Sequence, residues 1–305
     1  MSIVIMGVFN ADTTYRAARM PRMGETILGE SFALTPGGKG SNQAVAAARA
    51  GGQVQMLTRL GRDAFGDLAR RTWEDAGVIP RVIEDPDNHT GAAFIFVDAG
   101  TGDNAIIVAP GAAGGLSPED VEANRSLIEE ADIFLTQLEQ PLDAAHAGLR
   151  IARSAGTRTI LNPAPATEIP GDMLALCDFI TPNESEAEAL TGIDVSSIEG
   201  AERAARDLVA RGVGAVILTL GENGALFHDG IDAIHVPALH AGPVAETTGA
   251  GDAFNGGVAA ALSRGADPKD AVRFGNATAA ISVTRAGAAM SMPLRTEIEA
   301  LLRSK

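Results

Sequence analysis

An α/β fold is predicted for this 305-residue chain: a doubly wound, mostly parallel sheet with helices on both faces, plus a small β-sheet lid. Three features predict it. After Gly115, apolar strand-length runs alternate with helical patterns, and four successive runs end in polar residues beside a Pro or Gly. Two β runs, 91–98 and 104–109, flank the turn-rich 99–103 and read as a hairpin that interrupts this alternation. Finally, Thr247-Thr248-Gly249-Ala250-Gly251 runs straight into Asp252 and a helical pattern reaching Leu262. In an open parallel sheet the carboxyl ends of the strands share one edge and ligands bind there, so Glu139, Asn162, Asn183 and Thr219 are expected to line one cleft.

Length and a 46% hydrophobic content allow a large core in one main domain with a small one appended. No apolar run approaches the roughly 20 residues a membrane helix needs, and no signal-peptide pattern opens the chain; a cytoplasmic protein with no membrane partner is expected. A net charge of −15 disfavours nucleic acid, whose phosphates require clustered Lys and Arg. An anionic ligand must then be met by amides, metal ions or a few fixed bases. Cys177, the single cysteine, reads as a packed core thiol. The five histidines show neither metal-ligand spacing nor a Ser/His/Asp pattern.

Taken in order, residues 3–6 form a buried strand ending at Gly7. The Gly-x-Gly-x-x-Gly of a dinucleotide site is missing there, which argues against a dehydrogenase. Asn10 and Asp12 stand in its place, either as turn formers or, in extended backbone, as a pair on one face able to grip vicinal hydroxyls of a polyol. Residues 13–35 read as irregular or short β structure with a strand at 26–28. They join 91–109 as the lid, leaving 1–12, 36–90 and 110–305 as the core; edge strands on the main sheet are the alternative for the hairpin. Pro36-Gly37-Gly38-Lys39-Gly40-Ser41-Asn42-Gln43 opens into a small-residue helix at 44–50. It is not a Walker A loop, because Gly40 rather than Ser or Thr follows Lys39, so its amides and Asn42 suit a neutral polyhydroxylated ligand. Lys39 alone reads as a surface lysine.

A strand at 54–57 and a helix at 64–76 closed by Gly77 follow. Further helices are read at 118–130, 142–155, 268–286 and from 294, with strands at 132–136, 159–161, 179–180 and 215–218. Asn183-x-x-Glu186 fits a capping box and also a hydrated Mg²⁺ site, and both can hold. Thr219-Leu220-Gly221-Glu222-Asn223-Gly224 fits a nucleotide's ribose and phosphates, or a hairpin turn into 225–228. At 247–252 the glycines permit close backbone approach, and the helix start leaves N–H groups outward at the positive end of the dipole. Asp252 in that anion site is either a dipole-favouring acid or the group that takes a proton from whatever attacks a phosphate.

Together, residues 7–12, the 37–44 glycine stretch, Asn183-x-x-Glu186 and Gly249-Ala250-Gly251-Asp252 resemble the PfkB-type carbohydrate kinases, most closely their ribokinase branch. The similarity covers essentially the whole length and includes Gln137-Leu138-Glu139, 161–166, 181–184 and 283–285. It implies transfer of the γ-phosphoryl group of ATP to the 5-hydroxyl of D-ribose, by a homodimer joined through the β lid. A family member acting on deoxyribose, a ketose or a nucleoside is the alternative; a non-catalytic sugar sensor is a third reading, against which Asp252, Gly251 and Glu186 argue. Carried over, Asn10, Asp12, Gly38, Lys39, Gly40, Ser41, Asn42 and Glu139 hold the sugar, with Asp252 as catalytic base. Asn183, Thr219, Leu220, Gly221, Glu222, Asn223, Gly224, Gly251 and Asn276 contact the nucleotide. Glu186 organises a hydrated Mg²⁺, and the amides of Gly249, Ala250 and Gly251 form the anion hole. Glu246, Thr248, Ser282, Arg285, Gly287 and Ser291 match the oxygen ligands of a monovalent cation, usually K⁺. Two departures stand out: Glu246 replaces the family's Asp, one methylene shorter, and Asn276 stands where His is common. K⁺ accepts flexible oxygen cages, so the resemblance implies a site of altered affinity or ion preference.

Overall fold

A computed structural model describes residues 2–304. The chain begins in β1 (Ser2–Met6), whose alternate residues face opposite ways: Ile3 and Ile5 join one apolar layer, Val4 and Met6 the other. A strand buried on both faces reads as a continuous apolar run. Next, β2 (Asn10–Ala17) and β3 (Ser31–Gly37) leave the main sheet, and the chain returns through α1 (Lys39–Arg49), β4 (Gln53–Gly61), α2 (Ala64–Ala76) and β5 (Ile79–Asp85). The expected hairpin is β6 (Ala92–Asp98) with β7 (Asn104–Ala109), paired antiparallel. Then come α3 (Pro118–Ala123), α4 (Arg125–Glu129), β8 (Ile133–Thr136), α5 (Leu142–Ala155), β9 (Arg158–Leu161), α6 (Gly171–Leu174) and β10 (Phe179–Ile180). The last part runs through α7 (Glu184–Thr191), α8 (Ile198–Ala210), β11 (Ala215–Thr219), β12 (Ala225–His228), β13 (Ala233–Val236), α9 (Ala250–Ser263), α10 (Pro268–Ser282) and α11 (Arg295–Ser304).

The main sheet runs β13-β12-β11-β10-β9-β8-β1-β4-β5, parallel from β11 to β5 and antiparallel at β12 and β13. Helices α1, α2, α9, α10 and α11 cover one face, and α3 to α8 the other. A separate four-stranded sheet, β3-β2-β6-β7, stands apart from it, so the hairpin does not extend the main sheet. Among the described residues no helix is long and apolar enough to cross a membrane.

Several local expectations shift for identifiable reasons. No strand forms at 26–28, where Leu28 is fully in solvent with nothing to pack against. The helix expected from Ala44 starts at Lys39, after Gly38 at φ 87°, which puts Asn42 and Gln43 inside it. The expected 118–130 helix breaks at Asn124, whose side-chain amide donates to the Asp120 carbonyl at 2.9 Å and competes with the helical ladder. Edge strand β5 carries Pro80, a residue that masks a strand in sequence.

Small residues set the position of α9. A Cβ added to Gly256 would lie 2.5 Å from Ala46 Cβ and 2.7 Å from Ala47 N; one on Gly257 would lie 2.5 Å from Thr278 Oγ1. The backbones of α1, α9 and α10 therefore touch, and one turn before the Gly256 contact Asp252 meets Asn42 and Gln43.

Candidate active site

Glycine creates the starting point of α9. Its N-cap, Gly249, sits at φ 77°, ψ 4°, the left-handed region that a side chain disfavours, and no side chain caps the helix. The first-turn backbone therefore lies along an open cleft of about 180 Å³, lined also by Asn255 of the same helix and by Asn183, Glu186 and Thr219 from other elements. A Cβ on Gly251 would meet nothing within 4 Å, so this backbone is bare. The Ala250 N–H donates to Thr247 O at 3.1 Å, so the expected three-amide anion hole is narrower than sequence reading had it.

Asp252 is 7% exposed and held on both oxygens: Asn42 Nδ2 donates to Oδ2 at 2.9 Å, and Gln43 Nε2 to Oδ1 at 3.0 Å. Burial raises its pKa, opposed by the Lys39 charge and these two amides. It is thus a more basic carboxylate than a surface one, with a lone pair left on each oxygen. Lys39 lines the same cleft, so its ammonium is part of the site rather than a free surface charge.

A second cavity of about 240 Å³ is lined by Val8, Asn10, Leu138, Glu139 and, from β7 of the small sheet, Val108. The Lys39 N–H donates to Glu139 Oε2 at 2.8 Å and joins the two cavities. Asn10 and Asp12 lie on the start of β2 rather than in a turn, so they share a face, with Asp12 over Gly37. Burial pushes Asp12 up to about 6. It pushes Glu139 up to about 7, with Asp252 and Asp12 adding repulsion and Lys39 opposing. Glu139 thus lines a small cavity with mostly apolar walls, and Asp12 lies near enough to repel it.

Other predicted residues behave differently. Ser41 is fully buried and its hydroxyl accepts from Trp73 Nε1 at 2.9 Å, so it faces the core rather than a ligand. Gly40 serves close approach, since a Cβ there would lie 2.8 Å from Gly7 Cα. The 219–224 segment is a tight hairpin: Leu220 is core, Gly221, Glu222 and Asn223 form an exposed rim, and Thr219 alone lines the cleft. The capping box exists, Glu186 N donating to Asn183 Oδ1 at 2.8 Å and Asn183 N to Glu186 Oε2 at 2.9 Å. Asn276 donates to the Val236 and Pro237 carbonyls at 3.0 and 3.1 Å, which uses its amide N–H groups on the chain leaving β13. The predicted cation segments are brought together: Ala245 N donates to Val283 O at 2.8 Å and Gly287 N to Glu246 Oε2 at 2.9 Å. Arg285 is engaged with Glu297.

Sequence reasoning missed Gln137, Thr181 and Asn255 and gave Gln43 no role, although all four are buried polar groups around Asp252. Asn255, three residues after Asp252 on the same helix face, was the detectable one. A wider cavity of about 560 Å³ opens at the opposite edge of the sheet, at the amino ends of β9, β10 and β11; its Arg153 is already paired with Asp178. The carboxyl edge is where a parallel sheet binds ligands.

The arrangement suits phosphoryl transfer: a basic carboxylate at a bare helix start lines a polar cleft, and a second cavity joins that cleft at the Lys39–Glu139 bond. Comparison with known proteins agrees. Residues 2–295 match the pfkB family carbohydrate kinase profile. The chain is 38% identical over 302 residues to a ribokinase of Haemophilus influenzae, covering 97% of this chain and 96% of the relative. It is 37% identical over 295 residues to a deoxyribokinase of Salmonella typhi, covering 96% of each. The structure of Arabidopsis thaliana ribokinase complexed with ribose and ATP superposes with a TM-score of 0.94 at 32% identity, covering 99% of this chain and 98% of that one. A family profile spanning nearly the whole chain and relatives of this identity and coverage leave one conclusion: the chain belongs to the pfkB family of carbohydrate kinases.

Proposed function

We propose that this kinase transfers the γ-phosphoryl group of ATP to the 5-hydroxyl of D-ribose, giving D-ribose 5-phosphate. The observation that carries the reading is Asp252, a buried carboxylate fixed by two amides in the first turn of α9 and lining the polar cleft there. Asn10, Asp12 and Glu139 take the sugar hydroxyls. Asp252 accepts the proton as the hydroxyl oxygen bonds to the γ-phosphorus, and the bond from that phosphorus to the bridging oxygen breaks to release ADP. The bare amides at the start of α9 and the Lys39 ammonium stabilise the charge on the transferring group.

Glu186 fits a hydrated Mg²⁺, since one carboxylate oxygen caps α7 and the other is left for the cleft. Such an ion, bound with ATP, would neutralise phosphate oxygens. Glu246, Thr248 and the 282–291 segment form an oxygen-rich set of the kind K⁺ accepts, and activity compared in K⁺, Na⁺ and neither reads this directly. The lid also supports a dimer: Phe32, Leu34, Tyr15 and Ile107 share the outer face of the small sheet, each 42% exposed or more. Sedimentation equilibrium tests it. A cytoplasmic setting follows from the use of ATP as phosphoryl donor.

Asp252→Asn keeps the shape and removes the base; turnover is expected to fall roughly 10²–10⁴-fold. Comparable turnover in mutant and wild type rejects the reading. A second acceptor is favoured by one observation, the near-equal identity to the deoxyribokinase. A coupled assay over ribose, 2-deoxyribose, fructose and adenosine ranks them by kcat/KM.

A further inference from the structure

We propose that Gln43 is a positioning residue for the transfer: its side-chain amide fixes the Asp252 carboxylate and, through Asn162, Thr181 and Asn255, couples it to the Gly251 carbonyl in the first turn of α9. The proposal rests on the reading of Asp252 as the base.

Gln43 is fully buried and all of its hydrogen-bonding capacity toward neighbours is directed. Nε2 donates to Asp252 Oδ1 at 3.0 Å and to Asn162 Oδ1 at 3.0 Å; Oε1 accepts from Gln137 Nε2 at 2.6 Å. The orientation is forced. An ionised carboxylate only accepts, and Asn162 must present its oxygen because its Nδ2 donates to Thr181 O at 3.0 Å. From there Thr181 Oγ1 donates to Asn255 Oδ1 at 2.6 Å, and Asn255 Nδ2 donates to Gly251 O at 2.9 Å. Turning the Gln43 amide over would set its oxygen against two acceptors and lose three bonds in a buried site, where unmet groups are most expensive.

The relay thus starts at the end of β8, crosses α1, β9 and β10, and closes on α9 within one residue of the carboxylate. With Asn42 on Oδ2 and Gln43 on Oδ1, the carboxylate plane has two fixed donors. Asn42 differs in kind, since its Oδ1 has no partner among the described residues; Gln43 is held at both ends. The charged groups facing Asp252 are Lys39 of α1, Glu139 beyond β8 and Glu186 of α7. Lys39 favours its ionised form and the two acids oppose it.

The test compares Gln43→Glu and Gln43→Met with Asp252→Asn, reading kcat and KM for ribose and MgATP across acid to neutral pH, with thermal unfolding of each variant. Gln43→Glu is nearly isosteric and places an acceptor against Asp252; Gln43→Met removes the donor. The expected result in both is a kcat lower by roughly 10- to 100-fold, the range for a bond to a charged group. The KM for MgATP should be unchanged, and the acid limb of the kcat profile should move to higher pH, because the ionised base has lost a donor. Folded variants with wild-type kcat and an unmoved limb overturn the proposal. So does loss of folding in both, which would make Gln43 a packing residue first. An active Asp252→Asn instead sinks the base assignment, whereas an inactive Asp252→Asn beside wild-type-like Gln43 variants sinks the relay alone.

Discussion

Replacing Gly256 by Ala perturbs the active site from outside it. The added Cβ would lie 2.5 Å from Ala46 Cβ, 2.7 Å from Ala47 N and 2.8 Å from Gln43 O. Carbon atoms in contact settle at about 3.5–4.0 Å, so α9 must withdraw from α1 by about 1 Å. Two of the three obstacles are backbone, which a rotamer change cannot clear. Overpacking of this kind costs about 1–3 kcal/mol, which at roughly 2 °C per kcal/mol for a chain this size lowers Tm by about 2–6 °C. The same displacement acts one turn earlier on the 2.9 and 3.0 Å bonds from Asn42 and Gln43 to Asp252. A misplacement near 1 Å can lower turnover by about 10²-fold. Steady-state kinetics with saturating ribose and MgATP, beside differential scanning calorimetry, measure both. A companion Ala46→Gly exchange should restore activity in part, since it removes the nearest carbon and leaves the backbone obstacles. Gly256→Ala with unchanged kcat and unchanged Tm would refute the claim that this contact positions the base.

Two further outcomes are expected. Glu139, raised by burial to about 7 against about 4.3 unfolded, holds its proton in the folded state where the unfolded chain has released it. Its contribution is therefore greatest below about pH 4.3 and is lost as pH rises through about 7. Glu139→Gln should lose less stability than wild type between those limits in urea denaturation, and parallel pH profiles would contradict this. Glu186→Gln separates capping from metal binding, because glutamine also completes a capping box. Its Tm should stay near wild type while the Mg²⁺ concentration for half-maximal activity rises; an unchanged Mg²⁺ requirement leaves Glu186 as a cap alone.

Much of this was legible in the chain because it is local. Helix Ala64–Ala76 begins at Asp63, whose side chain accepts from Gly66 N, and ends at Gly77 in the left-handed region, so both ends are written in residue type. Leu142–Ala155 starts after Pro141, without a side-chain cap, and likewise ends at a left-handed glycine, Gly156. The hairpin β6–β7 and the polar strand ends followed from period and turn chemistry. The reading failed where stability lies elsewhere: β5 pairs along β4 despite its proline, and no strand forms at 26–28, where Leu28 stands in solvent.

By itself the sequence determined the α/β alternation, the carboxyl-edge cleft and the candidate base, since helix caps, strand period and glycine turns act over a few residues. Tertiary structure alone decided which way each polar group turned. Ser41 lies next to Asn42 in sequence, yet its hydroxyl meets Trp73 while its neighbour's amide meets Asp252, 210 residues away. Gln43 acquires its role only when α1, β8, β9 and α9 converge, and that convergence depends on Gly256 admitting Ala46 and Ala47 at backbone distance. The direction of a buried amide is fixed by the donors and acceptors packed around it, and those come from parts of the chain that only folding brings together.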